Sequence, residues 1–263
     1  MTNLTGVSET LLLTFYARYL ESQRVDGIIK DQKSIEIMKN IDFDFSKFSN
    51  MQIYQVFHGI RTEILDQATN GFLEKNSDAT IINLGAGLCT RFFRVDNGKL
   101  DWFGLDLEDV TRFTKNVIGE TDRYKYITGS ILDFSWMDQF KDKNPKKMLL
   151  IAEGLFYYFE EEEVKHQIIT IKNKFPGAEM LMEVISPLSI RMSKKPHPSI
   201  SKAAQFKWGI NDLKEIEQWG DGIKLINQFY FFDRYSNRWG WRRFYKYIPV
   251  LRNLFRIGHI RFG

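Results

Sequence analysis

The rhythm of apolar and polar positions changes near residue 79. Before it, apolar residues recur every three to four positions, the period of a helix with one buried face. Residues 8–23 open on Ser8, a capping residue type, and space Leu11, Leu12, Phe15, Tyr19 and Leu20 for a helix. The same pattern predicts helices over 32–41 and 51–73, the latter with Ile53, Val56, Phe57, Ile60, Ile64 and Leu65 on one face. From Ala79 short apolar runs take over: ATIINL (79–84), WFGLD (102–106), YKYITG (124–129), MLLIAE (148–153) and EMLMEVI (179–185). Helical stretches are predicted between them at 108–118, 135–141 and 160–174. Strands alternating with helices give βαβ units and a mostly parallel, doubly wound α/β sheet. Two later runs, 225–232 and 256–262, read as closing strands. Residues 1–75 then form a helical cap and 76–263 the sheet-bearing core, with a polar, proline-bearing insertion at 186–208 that reads as a lid.

Composition narrows the class. The chain has 263 residues, enough for one α/β domain with additions. Its longest apolar runs fall short of the roughly 18–20 residues of a bilayer span. The first residues carry no basic segment ahead of the apolar stretch, so a secretory leader is not expected. One cysteine, Cys89, allows no internal disulfide and no cysteine-based zinc cluster. A cytoplasmic, reducing location is the expectation. The net charge of +4 is uneven. Residues 234–263 take eight of the 37 basic residues and no acid, so 29 basic residues stand against all 33 acidic ones elsewhere. A basic tail on a mildly acidic body is not the footprint of a nucleic-acid binder. Within the tail, 239–251 is predicted to be a helix with Trp241, Phe244, Tyr245 and Ile248 on one face and Arg242, Arg243 and Lys246 on another. Such a helix either packs on the sheet or lies on a membrane surface.

The chemistry-bearing segment is Asn83-Leu84-Gly85-Ala86-Gly87-Leu88-Cys89-Thr90-Arg91, which follows the first predicted strand. Gly85 and Gly87 permit backbone angles that other residues resist and let a ligand approach the main chain. Asp106 closes the next strand, placed to accept hydrogen bonds from ribose hydroxyls. Thr90 replaces the third glycine of a dinucleotide fingerprint, so a nucleoside without a pyrophosphate fits better, S-adenosylmethionine foremost. Gly129-Ser130-Ile131-Leu132 and Ala152-Glu153-Gly154 end further strands at the same edge. Tyr157 and Tyr158 follow, as core residues or as substrate-pocket lining.

The runs INLGAGLCTRFFR, WFGLDLEDV, GSILDFSW and LLIAEGLFYYFEEEEV, in this order, resemble the leucine carboxyl methyltransferase family, and more closely its bacterial branch of polyketide O-methyltransferases. GVSETLL and HGIRTEILD near the N-terminus are similar as well. The resemblance spans residues 6–232. It implies a Rossmann-like class I methyltransferase with a seven-stranded sheet, using S-adenosylmethionine to methylate a hydroxyl or carboxylate. It also implies that Gly85 and Gly87 adjoin the methionine part of the cofactor and that Asp106 binds the ribose. Ser130, Ile131 and Leu132 would border the adenine, and Glu153 would face the centre of the cleft. Arg61 would pair with the methionine carboxylate, with Arg18 as a second cationic contact. The branch usually has Asp where this chain has Cys89.

A carboxylate acceptor needs no base at neutral pH, whereas a phenol or alcohol gains from one. Glu153, Tyr158 and His58 are the candidates; His166, His197 and His259 show no metal-ligand spacing, and no metal site is expected. The leading expectation is a small-molecule O-methyltransferase with no nucleic-acid or integral-membrane partner. A protein carboxyl methyltransferase, a nicotinamide oxidoreductase and a non-catalytic cofactor-binding relative remain open.

Overall fold

The computed structural model describes residues 6–48, 51–193 and 205–263. Seven strands, β1 (Thr80–Leu84), β2 (Asp101–Asp106), β3 (Tyr124–Thr128), β4 (Met148–Ala152), β5 (Glu179–Ile185), β6 (Ile223–Tyr230) and β7 (Phe255–Phe262), form one sheet in the order β3-β2-β1-β4-β5-β7-β6. The first five run parallel; β7 is antiparallel to both β5 and β6. The sheet is therefore mostly parallel, as the alternation of strand and helix patterns predicts. From β1 the chain winds outward through β2 to β3, then returns to place β4 on the other side of β1. Ligands in such sheets sit at that reversal, beyond the carboxyl ends of the strands.

The strands read as unbroken apolar runs because both faces are covered. Leu149 and Ile151 of β4 point to one face, and Met148, Leu150 and Ala152 to the other. The first face is covered by α3 (Gln52–Leu73), whose Val56, Ile60, Ile64 and Leu65 pack with Ile81, Leu149 and Ile151. The second is covered by α6 (Glu161–Lys174), through Val164, Ile168 and Ile171. Ile64 is fully buried, so cutting it to Ala costs roughly 2–5 kcal/mol.

The N-terminal helices α1 (Gly6–Gln23) and α2 (Gln32–Met38) do not make a detached cap. Leu12, Leu13, Phe15 and Ile37 pack with Leu88, from the turn after β1, and Phe113 of α5 (Glu108–Ile118). That cluster fixes α1 against the edge where the chain reverses. α2 stops at Met38, short of the predicted 41. A short helix, α4 (Phe92–Val95), follows the glycine turn.

Two expected helices differ. Residues Phe134–Phe140 form 3₁₀ turns, started by the Asp133 side chain accepting from Ser135 N at 3.1 Å. The expected 239–251 helix is absent: Ser236–Tyr247 forms 3₁₀ turns broken at Gly240 (φ +56°, ψ −133°). No other residue type takes those angles readily. Pro249, with no N–H, then restarts the chain as the short α8 (Pro249–Arg252). Of the 186–208 insertion, α7 (Pro187–Ser193) and residues 205–208 are seen, and 194–204, including His197, lie outside the described residues. Lys207 N donates to Tyr157 O at 2.7 Å, and Phe206 meets Tyr157 edge-on with centroids 4.7 Å apart. No helix among the described residues is long and apolar enough to cross a membrane.

Candidate functional site

The turn after β1 is shaped by two left-handed glycines, Gly85 (φ +62°) and Gly87 (φ +50°). A Cβ on Gly85 would stand 2.8 Å from Leu155 Cδ1. Ala86 N donates to Leu105 O at 3.0 Å and Gly87 N to Asp106 Oδ2 at 2.8 Å, so the turn is tied to the end of β2. Leu107 N donates to Asp106 Oδ1, also at 2.8 Å. Each carboxylate oxygen keeps acceptor capacity beyond these bonds. Burial pushes the Asp106 carboxyl up, against the lowering effect of the two N–H donors.

Below the turn lies a buried network of four arginines and four acids. Arg61 on α3 reaches Glu153 and Glu183. Its Nη1 donates to Glu183 Oε2 at 3.1 Å. Its Nε sits 2.8 Å from Glu153 Oε1 as an ion pair whose N–H is not aimed at the oxygen. Arg91 bridges Glu153 (2.7 Å) and Asp66 (2.8 Å), and Arg94 bridges Asp66 (2.6 Å) and Asp31 (2.9 Å). Burial raises the Glu153 carboxyl, but Arg61, Arg91 and Arg18 outweigh it and hold the group well below the usual carboxylate range. Glu183 goes the other way: burial pushes it up, and Arg61 only partly offsets this.

Arg18, from α1, is the least compensated cation of the four. Its Nη2 donates to a neutral acceptor, Leu88 O, at 2.5 Å, and its Nε lies 3.9 Å from Asp31. Desolvation lowers its pKa despite Glu153 and Asp31, whereas Arg61, Arg91 and Arg94 are all shifted upward by their carboxylates. An incoming anion would relieve that imbalance.

One cleft of about 1300 Å³ opens over this network. Arg61, Gly85, Gly87, Asp106, Ser130, Ile131, Leu132, Glu153 and Tyr158 all line it, as does Arg18. The floor also presents buried polar atoms with no partner among the described residues: Asn83 Oδ1, Glu183 Oε1 and His58 Nδ1. Another part of the lining is an aromatic wall, with Tyr54, Phe57, Tyr157, Tyr158, Phe206 and Trp239. The Tyr158 hydroxyl is hydrogen-bonded with Thr10, and burial with the nearby Glu183 pushes its pKa up to about 12. His58 is buried, and desolvation, Arg61 and Arg18 keep its ring neutral. Cys89 Sγ accepts from Arg91 Nη1 at 3.6 Å.

Asp31, Asp66, Arg91, Arg94 and Glu183 were not among the residues expected from the sequence. Asp31, Asp66, Arg91 and Arg94 look like solvated charges until the fold joins them, and Glu183 lies inside the apolar run of β5. The one local signal is the three-residue spacing of Arg91 and Arg94, which puts both on one helical face. His259 is accounted for by Glu179, 2.7 Å away across β5 and β7. Among the described residues no three His, Cys, Asp or Glu are grouped to hold a metal ion.

Strand order, switch-point cleft and glycine turn together define a class I S-adenosylmethionine-dependent methyltransferase. The leucine carboxyl methyltransferase family profile matches residues 8–172, and the chain belongs to that family. It is 28% identical, over 88% of its length and 85% of the relative's, to the tetracenomycin polyketide synthesis O-methyltransferase TcmP of Streptomyces glaucescens. It is 27% identical to an S-adenosyl-L-methionine-dependent methyltransferase, dpfgK, of Gibberella zeae, covering 90% and 87% of the two chains. The fold is shared with magnesium protoporphyrin IX methyltransferase from Synechocystis, solved with its methyl donor bound: TM-score 0.51 at 9% identity, covering 97% of each chain. A DUF574 family protein from Streptomyces avermitilis superposes with TM-score 0.59 at 10% identity, covering 95% and 97%.

Proposed function

We propose that this chain methylates an oxygen of an aromatic, polyketide-like small molecule, with the cofactor held along the floor of the cleft. When bound, S-adenosylmethionine supplies a methyl group on a sulfonium, a good leaving group. The residues present fit that molecule. Gly85 and Gly87, both left-handed, line the cleft and present bare main chain to it. Asp106, held by two backbone donors, offers acceptors to the ribose hydroxyls. Ser130, Ile131 and Leu132 border the adenine. The carboxylate of the methionine part goes to Arg18 together with Arg61, because Arg18 is the least compensated cation of the floor, with Asp31 no closer than 3.9 Å. A charge-assisted pair of this kind contributes about 1.5–3 kcal/mol.

Neither Glu153 nor Tyr158 acts as a base in this reading. Glu153 is pinned by two arginines and takes up a proton only in strong acid. Its task is to set Arg61 and Arg91. Tyr158, with a pKa near 12, keeps its proton at neutral pH and donates a hydrogen bond to the acceptor. An acceptor that is already an anion suits these groups best, and alignment with exclusion of water is then the main service of the protein, worth about 7–11 kcal/mol. For an unionised hydroxyl the His58 ring is a weak base, since burial, Arg61 and Arg18 all oppose its protonation. The cap of residues 1–75 and the core of 76–263 work as one unit, since α1 brings Arg18 and α3 brings Arg61 to the same floor.

The carrying observation is the convergence of the glycine turn, Asp106 and the weakly compensated Arg18 on one cleft. The test is transfer of labelled methyl from S-adenosylmethionine to a panel of aromatic hydroxy acids. Alkali-labile label marks a methyl ester and alkali-stable label an ether; no transfer to any aromatic acid or phenol contradicts the proposal.

A further inference from the structure

We propose that the surface around residues 241–250 docks this protein on an anionic lipid surface. Apart from Arg256, which is buried and donates to Ile210 O and Asn211 O, the tail sorts its cations into two groups. Arg234 pairs with Glu63, Arg238 with Glu21, Arg252 with Asp233 and Arg261 with Glu179. Those four hold the fold. Arg242, Arg243 and Lys246 form no ion pair with a carboxylate among the described residues. They cluster in one stretch, and no acid occurs anywhere in 234–263 to repel an anionic partner.

The same stretch exposes its large apolar side chains. Trp241 is 64% exposed, Tyr247 71% and Val250 56%, with Phe244 and Ile248 also exposed. Each unpaired cation lies against a neighbouring ring: Arg242 over Trp241 and Arg243 over Phe244 at 5.0 Å, and Lys246 over Tyr247 at 4.9 Å. Aromatic rings beside long cationic side chains match the layered boundary of a bilayer, where rings settle among headgroups and cations meet phosphate. The arrangement is held from beneath. Trp239 is buried, packs tilted against Phe232 with centroids 4.6 Å apart and donates from Nε1 to Arg234 O at 3.0 Å. Gly240 then reverses the chain and sends Trp241 outward.

Charge complementarity alone would also fit a nucleic acid. The aliphatic pair Ile248 and Val250 decides for lipid, since it has a use at a hydrocarbon boundary and none against phosphates. The acidic excess of the remaining body also disfavours an extended polyanion. Trp241 and Arg242 line the rim of the cleft as well, so docking would turn the cleft mouth toward the bilayer.

The test is sedimentation of the full chain with vesicles of phosphatidylcholine alone and of phosphatidylcholine mixed with phosphatidylserine. Binding to the mixed vesicles, weakened by salt, is expected, with little to phosphatidylcholine alone. Near such a surface each basic residue is worth about fivefold in affinity, so Arg243→Glu with Lys246→Glu should lower binding at least tenfold. Phe244→Ser with Tyr247→Ser should lower it even at low salt. All four positions lie outside the cleft lining, Arg243, Phe244 and Tyr247 being exposed and Lys246 half-buried with its Nζ donating to Ser236 Oγ, and unchanged melting temperatures would show the variants folded. Equal binding to both vesicle types, no binding to either, no effect of either variant pair, or tighter binding to a duplex oligonucleotide than to the mixed vesicles would overturn the proposal. None of these outcomes bears on cofactor binding, which is measured without lipid.

Discussion

The floor and the wall of the cleft are built by opposite means. The floor is an ionic lattice in which Arg61, Arg91 and Arg94 each hold two carboxylates and Glu153 holds two of those arginines. The wall is made of rings, Tyr157, Tyr158 and Phe206, packed tilted or edge-on with centroids 4.7–5.5 Å apart. Buried ion pairs fix geometry but add little net stability. Ring packing fixes shape loosely and tolerates exchange. The floor thus fits a task that is the same in every turnover, holding one cofactor, and the wall fits a task that differs between relatives, choosing an acceptor.

That contrast breaks most sharply at Glu153. Removing it by Glu153→Ala leaves two buried arginines short of a partner. Loss of one member of such a pair costs about 3–5 kcal/mol, and the low end is expected because Glu183 and Asp66 remain. Urea unfolding measures it; a loss below about 1 kcal/mol would show the lattice to be slack. Asp106→Ala should weaken S-adenosylhomocysteine binding by about 1–3 kcal/mol, read by calorimetry, since ribose hydroxyls would be left buried and unpaired. The same group sets a pH dependence. Its carboxyl is raised, so it protonates at a higher pH than an exposed aspartate. Cofactor affinity should accordingly decline early on acidification, and Asp106→Asn should flatten that decline. Gly85→Ala forces a side chain into φ +62° and should destabilise the fold by roughly 1–2 kcal/mol in thermal melts. Tyr158→Phe, on the wall, should leave cofactor affinity unchanged and alter acceptor kinetics by about tenfold or less, the loss of one neutral hydrogen bond. A larger effect on the cofactor than on the acceptor would erase the division between floor and wall.

Much of the fold was legible because the sheet is buried on both faces, which leaves strands such as Met148–Ala152 as plain apolar runs. Helix Glu108–Ile118 declared both ends, with Glu108 and Asp109 in its first turn and Gly119 (φ +84°) beyond its last. The tail misled because Trp241, Phe244, Tyr245 and Ile248 repeat at helical spacing while Gly240 and Pro249 forbid one continuous helix. The glycine turn and Asp106 could be read together because strand ends of neighbouring parallel strands meet by topology. The arginine lattice could not, since Arg91 finds Asp66 and Glu153 only through folding, across 25 and 62 residues of chain.

The central claim is that the turn after β1 and the aspartate ending β2 grip an adenosyl ligand. Calorimetric titration of the full chain with S-adenosylhomocysteine, and in parallel with NAD, tests it directly. One-site binding of the first with no heat from the second, lost or strongly weakened in Asp106→Ala, is the predicted result. No binding of S-adenosylhomocysteine to the folded chain, or undiminished affinity in the Asp106→Ala variant, would contradict it.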